Sequence, residues 1–167
     1  MKKRTLILIT VLMAALLLAT ISVVSAKPGP RGAIKCDLKI TFDDYDDGTY
    51  WNGRIDGDGC VLPGRIRFFG VLEEYDCPPG NTMHFVETFI INPDAGGSIE
   101  GKNWGVWDMR TGKFTAHGWV QASEEYPELV GNQYHEMGVT STTDTSVRPI
   151  TAPDGKMKLV PGDRSLD

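Results

Sequence analysis

The sequence predicts an all-β protein, a small antiparallel β-barrel of about eight strands. Short runs rich in Val, Ile, Thr and aromatic residues recur at intervals of about 8–12 residues, separated by Gly, Pro, Asn and Asp. Beyond the N-terminal segment, no window holds apolar residues at helical spacing for three turns. Glycines inside the runs indicate bends or close backbone approach, which favours a closed barrel over a flat sandwich.

The N-terminal segment has the pattern of a secretory signal peptide. Basic residues at positions 2–4 precede an apolar stretch from Leu6 to Val24, and small residues end the segment at Ala26. We therefore expect a signal-peptide helix at 1–26 with cleavage near Ala26, a linker at 27–33, and a secreted or extracytoplasmic protein. An uncleaved membrane anchor is the alternative, because the apolar stretch is long enough to span a bilayer.

Turn residues set the order of the predicted strands. Clusters such as Asp46-Asp47-Gly48 and Arg110-Thr111-Gly112 favour turns, because Gly reaches positive φ and Asp can bond its own backbone. The segments between such clusters are the predicted strands: Ile34–Phe42, Thr49–Ile55, Gly64–Leu72, Thr82–Ile91, Ser98–Glu100, Gly105–Met109, Lys113–Ala122 and Asn132–Thr140.

The barrel domain is thus predicted at 34–140. Residues 141–167 are polar and rich in Thr, Pro and Asp. This composition predicts an extended tail with at most one late strand, at Lys156–Val160.

The charge of the chain narrows the classes of partner. Beyond residue 26 there are 14 Lys and Arg side chains against 22 Asp and Glu, a net charge of −8. Nucleic acids and anionic membrane surfaces need basic patches, so neither is expected as a partner. The acidic residues around Asp43–Asp47 are interpreted as solvated turn charges.

All three cysteines lie beyond the leader, where export to an oxidising compartment permits disulfides. Three cysteines allow three pairings and leave one thiol over. Cys60 with Cys77 is the favoured pair because it closes the shortest loop, and Cys36 with Cys77 is nearly as plausible. The remaining thiol is expected to be buried or to link two chains.

One strand places a carboxylate in an apolar stripe. Alternation over the predicted strand 82–91 puts Glu87 on the same face as Phe85 and Phe89. If that face lines a barrel, Glu87 is paired, protonated or part of a pocket. The predicted ligand pocket combines this face with residues of other strands, and Arg65 or Arg67 would serve as polar groups that contact the ligand. Its other lining residues are Phe85, Glu87, Phe89, Ile91, Val106 and Phe114. For Glu87 alone, an internal pair with one of these arginines is the favoured role; a ligand-facing or acid–base carboxyl, and a stripe that faces outward, are the alternatives.

The histidines do not form a metal motif. His84, His117 and His135 show no HExxH or HxH spacing, and no CxxC is present, so neither a metal site nor a cofactor is predicted. His117 or His135 is a candidate partner for Glu87 if the pocket performs acid–base chemistry.

The tryptophans have two interpretations. Trp104 and Trp107 fall on opposite faces of one strand, and Trp119 shares a face with His117 and Thr115. Core packing is the common fate of Trp in a small β protein, whereas exposed rings could stack on sugars.

The segment Thr111-Gly112-Lys113-Phe114-Thr115-Ala116-His117-Gly118 resembles the T-G-K-F-x-x-A-x-G stretch of dirigent proteins, whose barrel is shared by allene oxide cyclases. The spacing from Phe114 to Ala116 is one residue shorter here, and the resemblance covers only Gly105–Gln121. It implies an eight-stranded antiparallel barrel with an apolar cavity, often in a dimer or trimer. It also implies binding of small hydrophobic molecules or reactive intermediates, without assigning catalytic residues.

These observations lead to three functional hypotheses. The first is a secreted or cell-surface barrel that binds a small apolar ligand in its interior. The second is a cyclase or isomerase on the same barrel, with Glu87, His117 and His135 as candidate catalytic residues. The third is a structural or carbohydrate-binding envelope protein with outward Trp side chains. A homo-oligomer is compatible with each.

Overall fold

The computed structural model describes residues 32–43, 50–71 and 82–162 of the chain. The predicted signal peptide at 1–26, the linker residues 27–31 and Cys77 lie outside the described residues. Among the described residues, no helix has the length and apolar character needed to cross a membrane.

Eight antiparallel strands form a closed barrel, which confirms the predicted fold class. Each strand pairs with the next along the chain, and the last pairs with the first. A 3₁₀ turn at Pro127–Leu129 precedes the seventh strand. The strands are β1 Ile34–Phe42, β2 Trp51–Asp56, β3 Gly64–Val71, β4 Thr82–Pro93, β5 Ile99–Asp108, β6 Lys113–Ala122, β7 Gln133–Val139 and β8 Ile150–Val160.

The structure corrects two boundaries. The segments predicted as separate strands at 98–100 and 105–109 form the single strand β5, because Gly101 pairs directly with Phe89 of β4 and does not interrupt the ladder. The late strand predicted at Lys156–Val160 is confirmed but begins earlier: residues 150–160 form β8, which pairs with β7 and β1 and closes the barrel. The barrel therefore extends to Val160 and does not end at Thr140.

The pairing of β8 with β1 contains a β-bulge, and this irregularity explains why the sequence pattern did not predict the first half of β8. Leu38 of β1 faces Gly155, whereas Ile40 faces Ala152, so β8 has one extra residue between the two pairs. Pro153 lies in this bulge, one of the few places where a strand accepts proline.

Glycines allow the interior aromatic rings to lie flat against neighbouring strands. A Cβ on Gly105 would lie 2.4 Å from Cζ of Phe85, and a Cβ on Gly101 would lie 2.2 Å from Cζ of Phe89. Both glycines therefore sit directly beneath a ring of β4. The bends and close approaches that such glycines permit are those that a small closed barrel requires.

One end of the barrel is plugged. The loop that contains the 3₁₀ turn buries Tyr126 and Leu129, and the loop after β2 buries Leu62. The Tyr126 hydroxyl donates a hydrogen bond to the carbonyl oxygen of Gly96, 3.0 Å away, which ties this loop to the turn between β4 and β5. These described loops close this end of the barrel.

The disulfide joins Cys36 to Cys60 at the plugged end, so the favoured Cys60–Cys77 pairing was wrong. Cys36 faces the interior at the start of β1, and Cys60 follows the turn after β2, the strand beside it. Antiparallel pairing of β1 with β2 brings the two Cα atoms to 4.7 Å, within the range that a disulfide spans. Strand register, and not the shortest loop, determines the pairing.

Candidate functional site

The face of β4 that carries Glu87 points into the barrel, as the alternation predicted. Phe89 and Ile91 have no exposed surface, and Phe85 and Glu87 are each 7% exposed. Glu87 is therefore a carboxyl group on the inner wall of the barrel.

A cavity of about 250 Å³ occupies the half of the barrel farther from the plugged end. Glu87 and Glu136 are its buried charged residues, while Thr140, Thr145 and Arg148 line it from the end of β7 and the segment before β8. The rest of the wall is apolar. Six aromatic side chains make up most of it: Phe42, Trp51, Phe68, Phe85, Trp107 and Phe114.

The register of the strands explains how the polar groups meet. Glu87 of β4 lies directly opposite Asn103 of β5, which pairs with Gly118 of β6, which pairs with Tyr134 of β7. Gly118 has no side chain, so it leaves room between Asn103 and Tyr134. Glu136 lies two residues beyond Tyr134 on the same inner face. Four polar side chains thus come together across four adjacent strands.

The hydrogen bonds in this cluster are unevenly shared. Glu136 accepts two of them, one from the Tyr134 hydroxyl at 2.6 Å and one from Nδ2 of Asn103 at 3.3 Å. Among the described residues, Oε2 of Glu87 and Oδ1 of Asn103 are buried and have no hydrogen-bond partner. Of these two residues, Glu87 lines the cavity and Asn103 is fully buried.

Burial and mutual repulsion shift the ionisation of the cluster. Burial raises the pKa of Glu87 well above its ordinary value, and the charge of Glu136 raises it further. Burial also raises the pKa of Glu136 to about 7, although the hydrogen bond from Tyr134 opposes the shift. Near neutral pH the two carboxyls consequently hold at least one proton between them, as closely coupled acids do.

Three residues of the predicted pocket lie on the outside of the barrel. In β3 the inward residues are Ile66 and Phe68, so Arg65 is exposed and the half-buried Arg67 lies on the same outer side. Val106 is 37% exposed on β5. The prediction that Arg65 or Arg67 serves as a polar handle was wrong. Both faces of β3 carry apolar residues, so its alternation does not specify which face is inside.

Arg148 is the arginine at the cavity. Its guanidinium lies 4.1 Å from the centre of the Phe42 ring, and the face of an aromatic ring attracts a positive charge at this distance. It also donates hydrogen bonds to the carbonyl oxygens of Thr145 and Val147. Arg148 thus places a fixed positive charge on the cavity wall, away from the strand that carries Glu87.

Two other predicted pocket residues are internal but lie beyond the cavity. The Phe89 ring stacks on Tyr134 with centroids 4.2 Å apart, and Ile91 belongs to the hydrophobic core. Of the predicted set, Phe85, Glu87 and Phe114 are the residues that line the cavity. Phe89 therefore packs against the ring of Tyr134, whose hydroxyl donates to Glu136.

Neither candidate histidine can work with Glu87. His117 and His135 are paired across β6 and β7 on the outer face, whereas Glu87 faces the interior. The group that does lie near Glu87 is Glu136, which alternation over Tyr134, Glu136 and Gly138 could have indicated. That signal was masked because Met137 and Val139, on the opposite face, are also apolar.

The outer face carries an aromatic cluster. Trp104 makes edge contacts with His117 and Trp119, with ring centroids 4.5 and 4.7 Å apart. Trp119 is 50% exposed, whereas Trp107 is buried in the cavity wall. The tryptophans are thus divided between core packing and the surface.

Comparisons of this chain with protein-family models, with curated proteins and with solved structures find no match.

Proposed function

We propose that this protein is a secreted or extracytoplasmic β-barrel that binds a small, mainly apolar molecule in its interior. The observation that carries the proposal is the cavity of about 250 Å³, walled by aromatic rings and holding two buried carboxyl groups. A dry apolar cavity of about 150 Å³ is enough to bind benzene. An apolar wall with a few convergent polar groups is typical of ligand sites.

The location rests on two features. The N-terminal pattern predicts export, and the Cys36–Cys60 bond supports it because disulfides persist mainly in oxidising compartments. The resemblance to dirigent proteins and allene oxide cyclases stays a prediction, supported by the eight-stranded closed barrel. A homo-oligomer also stays a prediction.

Filling the cavity should abolish binding. Met83 is half-buried and lines the cavity, so Met83→Trp would place an indole ring, which is larger than the Met side chain, inside the cavity. Met137 is 54% exposed on the outer face, which makes Met137→Trp the matched control. We expect the wild type and the control to bind the apolar dye N-phenyl-1-naphthylamine saturably, and Met83→Trp to bind it at least about tenfold more weakly, as measured by fluorescence titration. Absence of saturable binding to the wild type would overturn the proposal.

Acid–base catalysis is the second candidate function, favoured by the Glu87–Glu136 pair. Coupled carboxyls that share a proton near neutral pH can both give and take one, as an isomerase or cyclase requires. This function predicts that the protein accelerates exchange of the hydrogens beside the carbonyl of α-tetralone in D₂O, observed by NMR. Glu87→Gln should remove the acceleration, while Glu100→Gln on the outer face should retain it. Equal exchange rates with and without protein would exclude this chemistry for the ketone.

The carbohydrate-binding alternative would use the outer cluster of Trp104, His117 and Trp119. Because that cluster lies outside the barrel, it is independent of the cavity and of its ligand.

A further inference from the structure

The inner polar cluster has negative charge available and no buried positive charge to match it. The buried charged residues of the described chain are Glu87 and Glu136, and the other buried polar residues are Asn103, Asn132 and Thr140. No Lys, Arg or His is buried among the described residues. A carboxylate in such surroundings is costly unless a cation accompanies it.

The cluster also has more acceptor atoms than hydrogen-bond donors to satisfy them. Glu136 already receives the hydroxyl of Tyr134 and the amide of Asn103. Oε2 of Glu87 and Oδ1 of Asn103 receive none among the described residues, and the two side chains lie opposite each other in register. A buried acceptor without a donor is costly. Glu87, whose Oε2 is unsatisfied, lines the cavity, so an occupant of the cavity can supply that atom with a donor.

A protonated amine supplies what the cluster lacks. A primary ammonium has three N–H donors and one positive charge, so it can donate to Glu87 and Glu136 together and neutralise the negative charge that they share. A neutral hydroxyl can also donate to Glu87, but it brings no positive charge to offset a carboxylate. The aromatic wall suits a cation and an apolar body equally well.

Arg148 limits the number of charges on the ligand. Its guanidinium already lies on Phe42 at the cavity wall, so a second positive group there would be repelled. The cavity therefore suits a monoamine better than a diamine.

We propose that the ligand is a small protonated monoamine with an apolar body, whose ammonium group binds between Glu87 and Glu136. This inference rests on the proposed ligand-binding function and names the ligand class for the same cavity. The ammonium binds the pair in the state that carries one negative charge: a doubly protonated pair releases one proton to solvent, and the negative charge that remains balances the ammonium.

The groups that face the pair define the pH dependence. Glu87 and Glu136 face each other's charge and the Tyr134 hydroxyl, while Arg148 lies at the cavity wall. The other inward residues next to them do not titrate: Phe68, Gly70, Asn103, Gly105, Ala116, Gly118 and Met157. Amine binding should therefore tighten as the pH rises from 5.5 to 7.5, because the competing proton is lost more readily.

Calorimetry with three ligands of one skeleton tests the inference: 3-phenylpropylamine, 3-phenylpropanol and 3-phenylpropanoate. At pH 7.5 we expect the amine to bind at least about tenfold more tightly than the alcohol, and the carboxylate not to bind. Titrations in two buffers of different ionisation enthalpy should reveal proton release with the amine alone. Glu87→Gln should bring the amine's affinity close to the alcohol's, while Glu100→Gln, on the exposed face of β5, should keep the preference.

The outcomes separate the two proposals. If the alcohol binds as tightly as the amine or more tightly, the monoamine inference is overturned while the binding function stands. The same holds if the naphthylamine dye binds but none of the three ligands does. If neither the dye nor any of the three binds, the proposed function itself fails.

Discussion

Raising the pH from about 4.5 to about 7.5 is expected to destabilise the folded protein by about 3 kcal/mol through Glu136 alone. The pKa of this carboxyl in the folded protein is raised to about 7 from an ordinary value of 4.5. Each pKa unit between the folded and unfolded states corresponds to about 1.4 kcal/mol of unfolding free energy. Glu87 shifts in the same direction and adds to the effect.

The sign follows from proton counts. Between the ordinary pKa of 4.5 and the folded pKa of about 7, the unfolded chain has released the Glu136 proton, whereas the folded protein still holds it. The stability is therefore complete below the unfolded pKa and is lost as the pH rises through the folded pKa. The carboxyls with lowered pKa values, Asp37, Asp108 and Asp144, act below this window, because their contribution is lost as the pH falls.

Urea unfolding at pH 4.5, 6.0 and 7.5 measures this dependence. Glu136→Gln keeps the size of the side chain and removes its titration, so the variant should lose the part of the slope that Glu136 contributes and keep the part that Glu87 contributes. Glu100→Gln, on the exposed face of β5, is the matched control and should reproduce the wild-type profile. A wild-type profile that is flat across the window, or the same slope in Glu136→Gln, would contradict the assignment of a buried carboxyl pair.

Removing the disulfide is expected to cost about 3 kcal/mol of unfolding free energy. The bond joins residues 24 positions apart, and a loop of this size restricts the unfolded chain by about that amount. The double variant Cys36→Ala/Cys60→Ala avoids leaving a lone thiol, and its melting temperature should fall by roughly 10 °C.

The third cysteine supplies the control. Cys77→Ala leaves the Cys36–Cys60 bond in place, so it should melt close to the wild type. If the double variant and the wild type unfold at the same urea concentration, the bond does not stabilise the barrel. If Cys77→Ala loses as much stability as the double variant, Cys77 takes part in the native disulfide.

The sequence predicted the barrel and one wall of its cavity because alternation is strong where aromatic and small apolar residues are concentrated on one face. β6 is such a strand: Phe114 and Ala116 face inward, whereas Thr115 and His117 face outward, and its predicted bounds were confirmed. β4 was assigned to the correct face because aromatic residues flank Glu87 on both sides. In these strands a shift by one residue would expose the entire apolar face.

The errors arose where both faces look alike or where the chain departs from regular pairing. β3 has Phe68 inside and Phe69 outside, so the direction of Arg67 could not be deduced. β8 contains Pro153 at a bulge, which removed the expected pattern. The disulfide depended on the register of β1 against β2, which cysteine spacing does not determine.

The cluster around Glu136 could not be deduced because it is a property of the closed barrel. Glu87 and Glu136 are separated by 49 positions in the sequence and by two intervening strands. Closure of the barrel across Gly118 and curvature around the cavity bring them within electrostatic reach. The sequence alone therefore indicated one carboxyl in an apolar wall, but not its partner.

Native mass spectrometry of the protein, purified gently from its own source, tests the central claim most directly. We expect a species heavier than the chain by the mass of one small molecule, which is lost on denaturation and absent from Met83→Trp but present in Met137→Trp. The same spectrum gives the oligomeric state. A mass equal to that of the chain alone in all three proteins would contradict a ligand-binding cavity, and would direct attention to the outer cluster around Trp119.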